Sequence, residues 1–408
     1  MTSFQSLELS DKLIQTLQTY HITEPTPIQA QTIPAILQGR NVIAAAPTGS
    51  GKTFAYLLPA CHAIDPAKKE LQVLVLAPTH ELVMQIAKEA EKLLTPQGLQ
   101  VVPLIGGVDP KRQIEKLKQH PVLVVATPGR LRELLEQRKI KVHTVQTIIV
   151  DEADRLMDEG FKGTVADIQR RLLRDTQRLY FSATLSSQIL TYLESIVQEP
   201  VIINVDREQN SEQVLHFYIL TEMRKKVDTL RRLIRLLDAK RTIVFINHLD
   251  RVDEIQERLT YHQIECRLIH RDTPKEERAK TIEDFREAKF PVLLATDVAA
   301  RGIDIPDIEA VIHQDPAIDA DAYIHRSGRT GRMGAAGLVF SIITPQQKFI
   351  LDKFQKQTKI PIVEKAMSHG TLVHPGSIRK NSGASKQASS KAGSTKTKAA
   401  RSPKRPRP

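Results

Sequence analysis

The sequence predicts an α/β protein built from two parallel-sheet domains in tandem, with a cleft between them. The chain has 408 residues, more than one ordinary core requires. Short β-branched runs alternate with helical patterns, which is typical of parallel sheets. The alternation lapses at the polar stretch 206–213. We therefore expect a first domain at 1–205, a linker at 206–213, a second domain at 214–364 and a basic tail at 365–408.

In the first domain, runs rich in β-branched residues predict strands, because such residues suit a buried sheet. Strands are expected at Val42–Ala45, Val73–Ala77, Val122–Ala126, Ile148–Asp151, Leu179–Ser182 and Val201–Asn204. Apolar residues at helical spacing lie between them, for example over Thr79–Leu94 and Ser186–Val197. The alternation favours a sheet covered by helices on both faces.

The same alternation returns after the polar stretch, although no sequence repeat relates the two halves. Strands are expected at His216–Leu220, Thr242–Ile246, Val292–Ala295, Ala310–His313 and Gly337–Ile342, and helices at Lys225–Leu237, Leu249–Tyr261 and Lys275–Glu287. The apolar periodicity ends after about Glu364. Residues 381–408 are mostly Ser, Lys, Ala, Gly and Pro, and they cannot bury enough surface to offset the entropy of ordering. A disordered tail is therefore expected.

The location of the +12 formal charge decides what the charge means. Ten Lys or Arg and no Asp or Glu lie after residue 370, so the remainder carries about +2. Such a tail serves solubility or contacts nucleic acid, and the motifs below favour nucleic acid.

Cysteine usage and hydropathy predict a cytoplasmic protein with no membrane partner. Cys61 and Cys266 lie far apart, which predicts two reduced, buried thiols rather than a zinc site. Residues 1–20 lack the basic start and apolar run of a secretory signal. No apolar stretch reaches the roughly 18 residues that a membrane span needs.

The segment after Val42–Ala45 predicts a phosphate-binding loop that opens a helix. Its residues are Ala46, Pro47, Thr48, Gly49, Ser50, Gly51, Lys52 and Thr53. The glycines let backbone N–H groups approach phosphates, and the helix points its positive end at them. Lys52 is expected to hold the β- and γ-phosphates of ATP, and the Thr53 hydroxyl to ligate Mg²⁺.

A buried run, Thr147–Val150, leads into Asp151 and Glu152. Ligands of open parallel sheets bind at this edge. An acidic pair there is often only a helix N-cap. Together with the phosphate loop, however, the pair predicts that Asp151 reaches Mg²⁺ through water and that Glu152 orients the water that attacks ATP.

From Phe4 to Thr358 the sequence resembles the DEAD-box family of superfamily 2 RNA helicases, and its motifs follow the family's order. Asp-Glu-Ala-Asp spans 151–154, and Tyr-His-Ile-Thr-Glu-Pro-Thr-Pro-Ile-Gln at 20–29 resembles the adenine-reading segment. The resemblance implies two RecA-like domains, with Gln29 at the adenine edge and Phe4 near the base. His21 replaces the family's usual Gly.

Three further segments resemble the family's RNA-contact motifs in the first domain. By this resemblance the RNA-contacting residues are Pro78, His80, Gly107, Thr127, Gly129 and Arg130. His80 replaces the family's Arg and is largely neutral at pH 7 if its pKa is near the reference value of about 6.5. Ser182-Ala183-Thr184 resembles the motif that couples nucleotide state to RNA binding. Asp154 and His325 are assigned to the same coupling.

The second domain continues the resemblance with Val244-Phe245-Ile246-Asn247 and with residues 295–304. The resemblance places Gly302 and Asp304 at ATP, with Asp304 on the ribose, and Thr296 and Asp297 near RNA. In His-Arg-Ser-Gly-Arg-Thr-Gly-Arg at 325–332, Arg329 and Arg332 are the implied arginine fingers that stabilise charge on the transferring phosphoryl group.

One RNA motif departs from the family. The usual His-Gly-x-x-x-Gln-x-x-Arg appears as His270 to Arg278, with Arg271 in place of Gly and Lys275 in place of Gln. Arg278 is retained and is expected, with Lys275, to contact RNA. Together with His80, the changes move positive charge from the first domain to the second. We hypothesise that RNA contact is biased toward the second domain.

The resemblance implies RNA-stimulated ATP hydrolysis coupled to closure of the two domains, with backbone contacts and 2′-hydroxyls selecting RNA. It also implies local unwinding or remodelling, with ribosomal or RNA-decay proteins as candidate partners. A DNA-translocating superfamily 2 helicase is a rival, disfavoured by the setting of Gln29. A non-hydrolysing RNA clamp or assembly scaffold is another rival, disfavoured because the catalytic positions are intact.

Overall fold

The computed structural model describes residues 3–47, 49–157, 159–205, 214–247, 249–300, 305, 308–331 and 336–375, without the side chains of residues 159, 275 and 298. Within these residues the chain folds into two α/β units, each on a seven-stranded parallel sheet. The predicted fold class is therefore confirmed. The predicted linker 206–213 lies outside the described residues, and the exact domain boundaries stay a prediction.

The first unit alternates strands and helices along residues 11–204. Its elements are α1 (Asp11–Thr19), α2 (Pro27–Leu37), β1 (Val42–Ala45), α3 (Lys52–His62), β2 (Val73–Leu76), α4 (His80–Leu94), β3 (Val101–Leu104), α5 (Pro110–Leu117), β4 (Leu123–Ala126), α6 (Pro128–Glu136), β5 (Thr147–Val150), α7 (Ala153–Leu156), α8 (Glu159–Gln169), β6 (Gln177–Ser182), α9 (Ser187–Ile196) and β7 (Val201–Asn204). A short 3-10 helix, Phe4–Leu7, precedes them.

The second unit repeats this alternation along residues 214–364 and ends in a short hairpin. Its elements are β8 (Val214–Leu220), α10 (Lys226–Leu237), β9 (Thr242–Phe245), α11 (Val252–Tyr261), β10 (Cys266–Ile269), α12 (Lys275–Arg286), β11 (Val292–Ala295), α13 (Asp297–Ala300), β12 (Ala310–His313), α14 (Ala320–Ser327), β13 (Gly337–Ile343), α15 (Lys348–Thr358), β14 (Ile362–Glu364), β15 (Ala366–Ser368) and β16 (Thr371–Val373).

The two sheets have the same topology. Their strand orders are β3-β4-β2-β5-β6-β1-β7 and β10-β11-β9-β12-β13-β8-β14, so each strand has a counterpart in the other unit. Parallel strands bring their carboxyl ends to one edge of the sheet, where ligands bind. In the first unit this order places β3, β4 and β2 on one half of the edge and β5, β6 and β1 on the other.

Each sheet is buried on both faces. Successive strand residues point to opposite sides, and each side packs into an apolar cluster. In β1, Val42 and Ala44 pack into one apolar cluster, whereas Ile43 packs into another on the opposite face. The second sheet has two corresponding clusters. Burial on both faces explains why the central strands are continuous apolar runs in the sequence.

The structure adds strands that the sequence patterns did not predict. β3 and β10 each lie at the end of their sheet and pair with a single neighbour. Both are only partly buried, and β3 contains Pro103, which an edge strand tolerates. β14 lies at the opposite end of the second sheet. Edge strands carry a weaker apolar signal because part of their surface faces water.

The expectation of a disordered tail from residue 365 is wrong for its first residues. β15 and β16 pair antiparallel, and Met367 and Leu372 pack against an apolar cluster of the second unit. Residues 376–408, which hold the basic charge, lie outside the described residues.

Two single-residue findings differ from simple expectation. His21 has a left-handed φ of 58°, and its N–H donates to Gln18 while that of Ile22 donates to Leu17. This is a Schellman turn at the end of α1, where Gly is favoured. The predicted pair of buried thiols is confirmed only for Cys61, because Cys266 is half-buried.

Candidate functional site

The predicted phosphate loop lies between β1 and α3. Gly49 and Gly51 have φ values of 82° and 90°, which are left-handed values that favour glycine. Gly51 is further restricted, because a Cβ there would lie 2.5 Å from Nε2 of Gln29. The other predicted loop residues within the described part are Ala46, Pro47, Ser50 and Thr53.

Lys52 opens α3 and lies between the loop and the carboxylates that follow β5. Its Nζ donates hydrogen bonds to the carbonyl oxygens of Ala46 at 2.6 Å and Pro47 at 2.9 Å. Burial lowers the pKa of Lys52 to about 8, against the attraction of Asp151. Lys52 is thus held at the phosphate loop, and its contact with phosphates stays a prediction.

The adenine-reading segment is joined directly to the phosphate loop. Gln29 is buried; its Nε2 donates to the carbonyl oxygen of Gly51 at 3.0 Å, and its Oε1 accepts from the N–H of Thr26 at 3.0 Å. Phe4 is buried in the core of the first unit. These contacts hold the segment against the loop, and direct contact of Gln29 or Phe4 with a base stays a prediction.

Asp151 directly follows β5 and is buried. Its Oδ1 accepts from the backbone N–H of Glu152 at 2.9 Å, and its Oδ2 accepts from the Tyr56 hydroxyl at 2.8 Å. Burial raises the pKa of Asp151 to about 6, although Lys52 opposes the rise. Glu152 has a left-handed φ of 48°, the kind of backbone strain that clusters at functional sites.

Thr53 and Asp151 form a donor set that suits Mg²⁺. In nucleotide sites this ion keeps several waters and takes one or two carboxylates plus substrate phosphates. Among the described residues, no group of three or more His, Cys, Asp and Glu side chains could hold a metal. One hydroxyl and one carboxylate fit an ion whose other ligands are waters and nucleotide phosphates.

Asp154 links the two units through a short hydrogen-bond network. Its Oδ2 accepts from the Thr184 hydroxyl at 3.0 Å and lies 3.3 Å from Nε2 of His325, 171 residues away. The Ser182 hydroxyl donates to the Thr184 carbonyl oxygen at 2.5 Å. Burial would raise the pKa of Asp154, but these hydrogen bonds and the charge of His325 outweigh it and hold the pKa at about 2. The predicted coupling residues are thus brought together.

Arg329 follows α14 and is 4 % exposed. Its Nε donates to the carbonyl oxygen of His325 at 3.2 Å. Burial lowers the pKa of Lys52 most, the nearby carboxylates raise it, and the charge of Arg329 lowers it further. The Arg329 charge therefore acts on Lys52 from the second unit. The predicted ATP-site residues outside the described part are Thr48, Gly302, Asp304 and Arg332.

The predicted RNA motifs of the first unit meet on the β3, β4 and β2 half of the sheet edge. The backbone N–H of Thr127 donates to the carbonyl oxygen of Leu104. The N–H of Ala77, just before Pro78, donates to the carbonyl oxygen of Ala126. A Cβ on Gly106 would lie 3.4 Å from the His80 ring. Gly107 and Gly129 are exposed at this edge. The motifs therefore form one surface although they are far apart in the chain.

Arg130 belongs to this surface but does not present its charge to solvent. It is 7 % exposed, and its Nη2 donates to the carbonyl oxygen of Val108 at 3.0 Å. Its Nε lies 3.3 Å from the Glu133 carboxylate. Arg130 therefore supports the turn that contains Gly107, and a direct phosphate contact stays a prediction.

In the second unit, Arg278 forms an ion pair with the first unit. Its Nε lies 2.9 Å from Oε1 of Glu81 on α4, and its Nη2 donates to the carbonyl oxygen of Ala299 at 2.7 Å. The side chain of Lys275 lies outside the described part. The backbone carbonyl oxygen of Thr296, just before α13, accepts a hydrogen bond from the N–H of Ala300. Thr296 follows β11, the neighbour of the edge strand β10 that leads into the altered motif.

Asp297, predicted to lie near RNA, forms an ion pair with Arg326 of its own unit. Arg326 is 1 % exposed and donates to both Asp297 oxygens, at 2.6 and 2.7 Å. The same guanidinium donates to Asn247 Oδ1 and to the carbonyl oxygen of Asp315. It thereby ties together the ends of β9, β11 and β12. The Asp297 carboxylate supports this network, and its contact with RNA stays a prediction.

The sequence motifs predict no role for Tyr56, Glu81 or Arg326. Arg326 lies inside the motif at 325–332 and Glu81 directly follows His80, so their positions in the chain were a usable signal. Tyr56 had no such signal, because its partner Asp151 is 95 residues away.

Within the described residues, no helix has the length and apolar character that a membrane span requires.

Two family models match the chain, a DEAD/DEAH box helicase domain at residues 26–192 and a helicase conserved C-terminal domain at 225–334. The DEAD-box ATP-dependent RNA helicase CshC of Bacillus cereus is 45% identical over 86% of this chain and 90% of its own length. The probable ATP-dependent RNA helicase YfmL of Bacillus subtilis is 41% identical over 86% and 93%. S. cerevisiae Dbp5 bound to RNA and ADP BeF3 superposes with a TM-score of 0.82 at 27% identity, covering 95% of this chain and 99% of that one.

Proposed function

The chain belongs to the DEAD-box family of ATP-dependent RNA helicases, and from this membership we propose that it hydrolyses ATP when RNA draws its two domains together. The relatives that share this fold are named as RNA helicases, and Dbp5 adopts it with RNA and ADP BeF3 bound. We infer that the product of each cycle is locally opened RNA, either a short duplex or a remodelled ribonucleoprotein.

The first domain supplies the groups that hold and hydrolyse the nucleotide. Backbone N–H groups of the phosphate loop and Lys52 bind the phosphates. Glu152 orients and polarises the attacking water. When bound with ATP, Mg²⁺ neutralises phosphate charge, and Thr53 and Asp151 are the residues that would hold it. Gln29, through its contact with Gly51, links adenine recognition to the geometry of the loop.

One observation carries the proposal: Asp154 of the first domain contacts His325 of the second while it also binds Thr184. The same helix of the second domain leads to Arg329, whose charge acts on Lys52. Neither domain alone can complete such a site, because Arg329 must approach from the opposite wall. Domain closure is therefore the step that switches hydrolysis on.

RNA is proposed to lie across the motif-bearing edges of both sheets. In the first domain this edge carries Gly107, Thr127 and the N-terminus of α6, and helix N-termini suit phosphates. In the second domain it carries Arg278, Lys275 and Thr296. Contacts of this kind bind the sugar–phosphate backbone with little sequence specificity.

Replacing Glu152 with Gln tests the catalytic assignment. RNA-stimulated ATP turnover should fall by about a hundredfold or more, since water activation is lost while the phosphate contacts remain. Glu91→Gln, which changes an exposed carboxylate on α4, is the matched control and should keep full turnover. Full RNA-dependent turnover in the Glu152 variant would show that the assignment is incorrect.

The same assay separates the rival functions. Stimulation by DNA as strong as by RNA would favour a DNA helicase, and RNA binding without turnover would favour a clamp or scaffold. We propose a cytoplasmic role in ribosome assembly or mRNA turnover, which are roles implied by the family resemblance of the sequence. Crosslinking the ATP-trapped protein to cellular RNA and sequencing the product identifies the RNA and decides between the two pathways.

A further inference from the structure

Tyr56 is a buried polar residue that the proposed function does not use. It lies on the first helix after the phosphate loop and is completely buried. Its ring packs edge-on against Phe181 of β6, with centroids 5.1 Å apart. The ring is therefore fixed, and only the hydroxyl group makes polar contacts.

The Tyr56 hydroxyl contacts Asp151, one of the two residues proposed to hold Mg²⁺. It donates to Oδ2 of Asp151 at 2.8 Å. A phenol has a reference pKa of about 10, so it is protonated at neutral pH and donates this hydrogen bond to the carboxylate.

We propose that Tyr56 is a positioning residue that holds Asp151 in the orientation that binds Mg²⁺ with the nucleotide. This assignment rests on the proposed function, because it concerns the same ATP site. Tyr56 acts through Asp151 and does not itself touch the substrate.

The physical reason lies in the rotational freedom of a carboxylate. The terminal torsion of Asp is broad, so an unsupported carboxylate samples several orientations. In Asp151 the N–H of Glu152 occupies one oxygen and Tyr56 the other. A carboxylate offers about four lone-pair positions, so accepting positions remain for an ion or its waters. Removing such a supporting contact typically costs about 10–100-fold in metal affinity.

The test is Tyr56→Phe in the full chain, which keeps the ring and its packing against Phe181. Affinity for fluorescent ADP is measured while Mg²⁺ is titrated, and again in EDTA. The Mg²⁺ concentration at which half of the gain in ADP affinity is reached should rise about tenfold. ADP affinity in EDTA should stay within about twofold of wild type, because the phosphate loop is unchanged. An unchanged or lower Mg²⁺ requirement would overturn the assignment.

Tyr180→Phe is the matched control. Tyr180 is also a buried tyrosine whose hydroxyl has a side-chain partner, Gln169 at 2.5 Å, but it packs in the cluster on the other face of the sheet. It should lose similar stability in a melting experiment and keep the wild-type Mg²⁺ requirement. A shifted requirement in this control would mean that the effect is structural and would overturn the assignment.

An Asp151→Asn background separates this assignment from the proposed function. In that background Tyr56→Phe should change the Mg²⁺ requirement by less than about twofold, because its effect passes through Asp151. A tenfold effect that persists there would overturn the assignment alone. A wild-type protein that binds ADP equally well with and without Mg²⁺ would contradict the proposed ATP site itself, and the role of Tyr56 with it.

Discussion

Glu81→Gln tests whether the ion pair between Arg278 and Glu81 stabilises the closed arrangement of the two domains. The pair joins α4 of the first domain to α12 of the second, with Nε and Oε1 2.9 Å apart. Glu81 has no proposed contact with RNA or ATP, so its replacement removes the ion pair without removing a ligand contact. Gln keeps the size of the side chain and loses the charge.

The expected magnitude follows from the burial of the pair. Exposed ion pairs contribute about 0.2–1 kcal/mol, and breaking a buried pair costs about 3–5 kcal/mol. Arg278 is 12% exposed and Glu81 35%, so we expect a loss of about 1.4 kcal/mol, near the lower of these ranges. Arg278 also keeps its hydrogen bond to Ala299. A loss of this size corresponds to about a tenfold change in an equilibrium constant.

The assay is ATP turnover as a function of RNA concentration. Because RNA binding and closure are coupled, the RNA concentration for half-maximal turnover should rise about tenfold. Turnover at saturating RNA should change little, since excess RNA restores closure. Glu89→Gln is the control: Glu89 pairs with Lys92 at 2.7 Å on the same helix and within one domain. Equal effects of the two variants would refute the reasoning.

Three further outcomes are expected. His21→Gly should raise the free energy of unfolding in urea by about 0.5–1 kcal/mol, because His21 has a left-handed φ of 58°; a lower value would contradict the strain. The pKa of Asp154 is held at about 2 in the folded protein, below its unfolded value of about 3.9. The free energy by which ionised Asp154 stabilises the fold is therefore present above pH 4 and is lost as the pH falls toward 2. Wild type should therefore lose stability on acidification more steeply than Asp154→Asn, and equal slopes would count against the network with His325. Lys275→Gln should lower the salt slope of RNA binding by about one unit if contact is biased toward the second domain; an unchanged slope would exclude that bias.

Features that depend on neighbouring residues could be predicted from the sequence. The phosphate loop is a strand, a Gly-containing turn and a helix start within a dozen residues, and the structure has β1, the loop and α3 in that order. The central strands were predicted because burial on both faces demands apolar residues at every position. β3, β10 and the hairpin at Ala366–Val373 were not predicted, since half-exposed strands lack that demand.

Contacts between distant residues required the tertiary structure. The sequence named Asp154 and His325 only by resemblance, and their contact spans 171 residues. It named Arg130 and Asp297 as RNA contacts. In the structure Arg130 donates a hydrogen bond to the carbonyl oxygen of Val108, and Asp297 accepts one from Arg326. It assigned nothing to Tyr56, which reaches Asp151 across 95 residues.

The sequence by itself determined that this protein has two parallel-sheet domains, a phosphate loop and an acidic strand end, because each of these depends on local periodicity and local turn chemistry. Only the tertiary structure decided which side chains support those motifs and which join the two domains. The physical reason is strand order: alternating strands and helices predict a parallel sheet, but the spatial order β3-β4-β2-β5-β6-β1-β7 determines which strand ends, and therefore which side chains, lie next to each other.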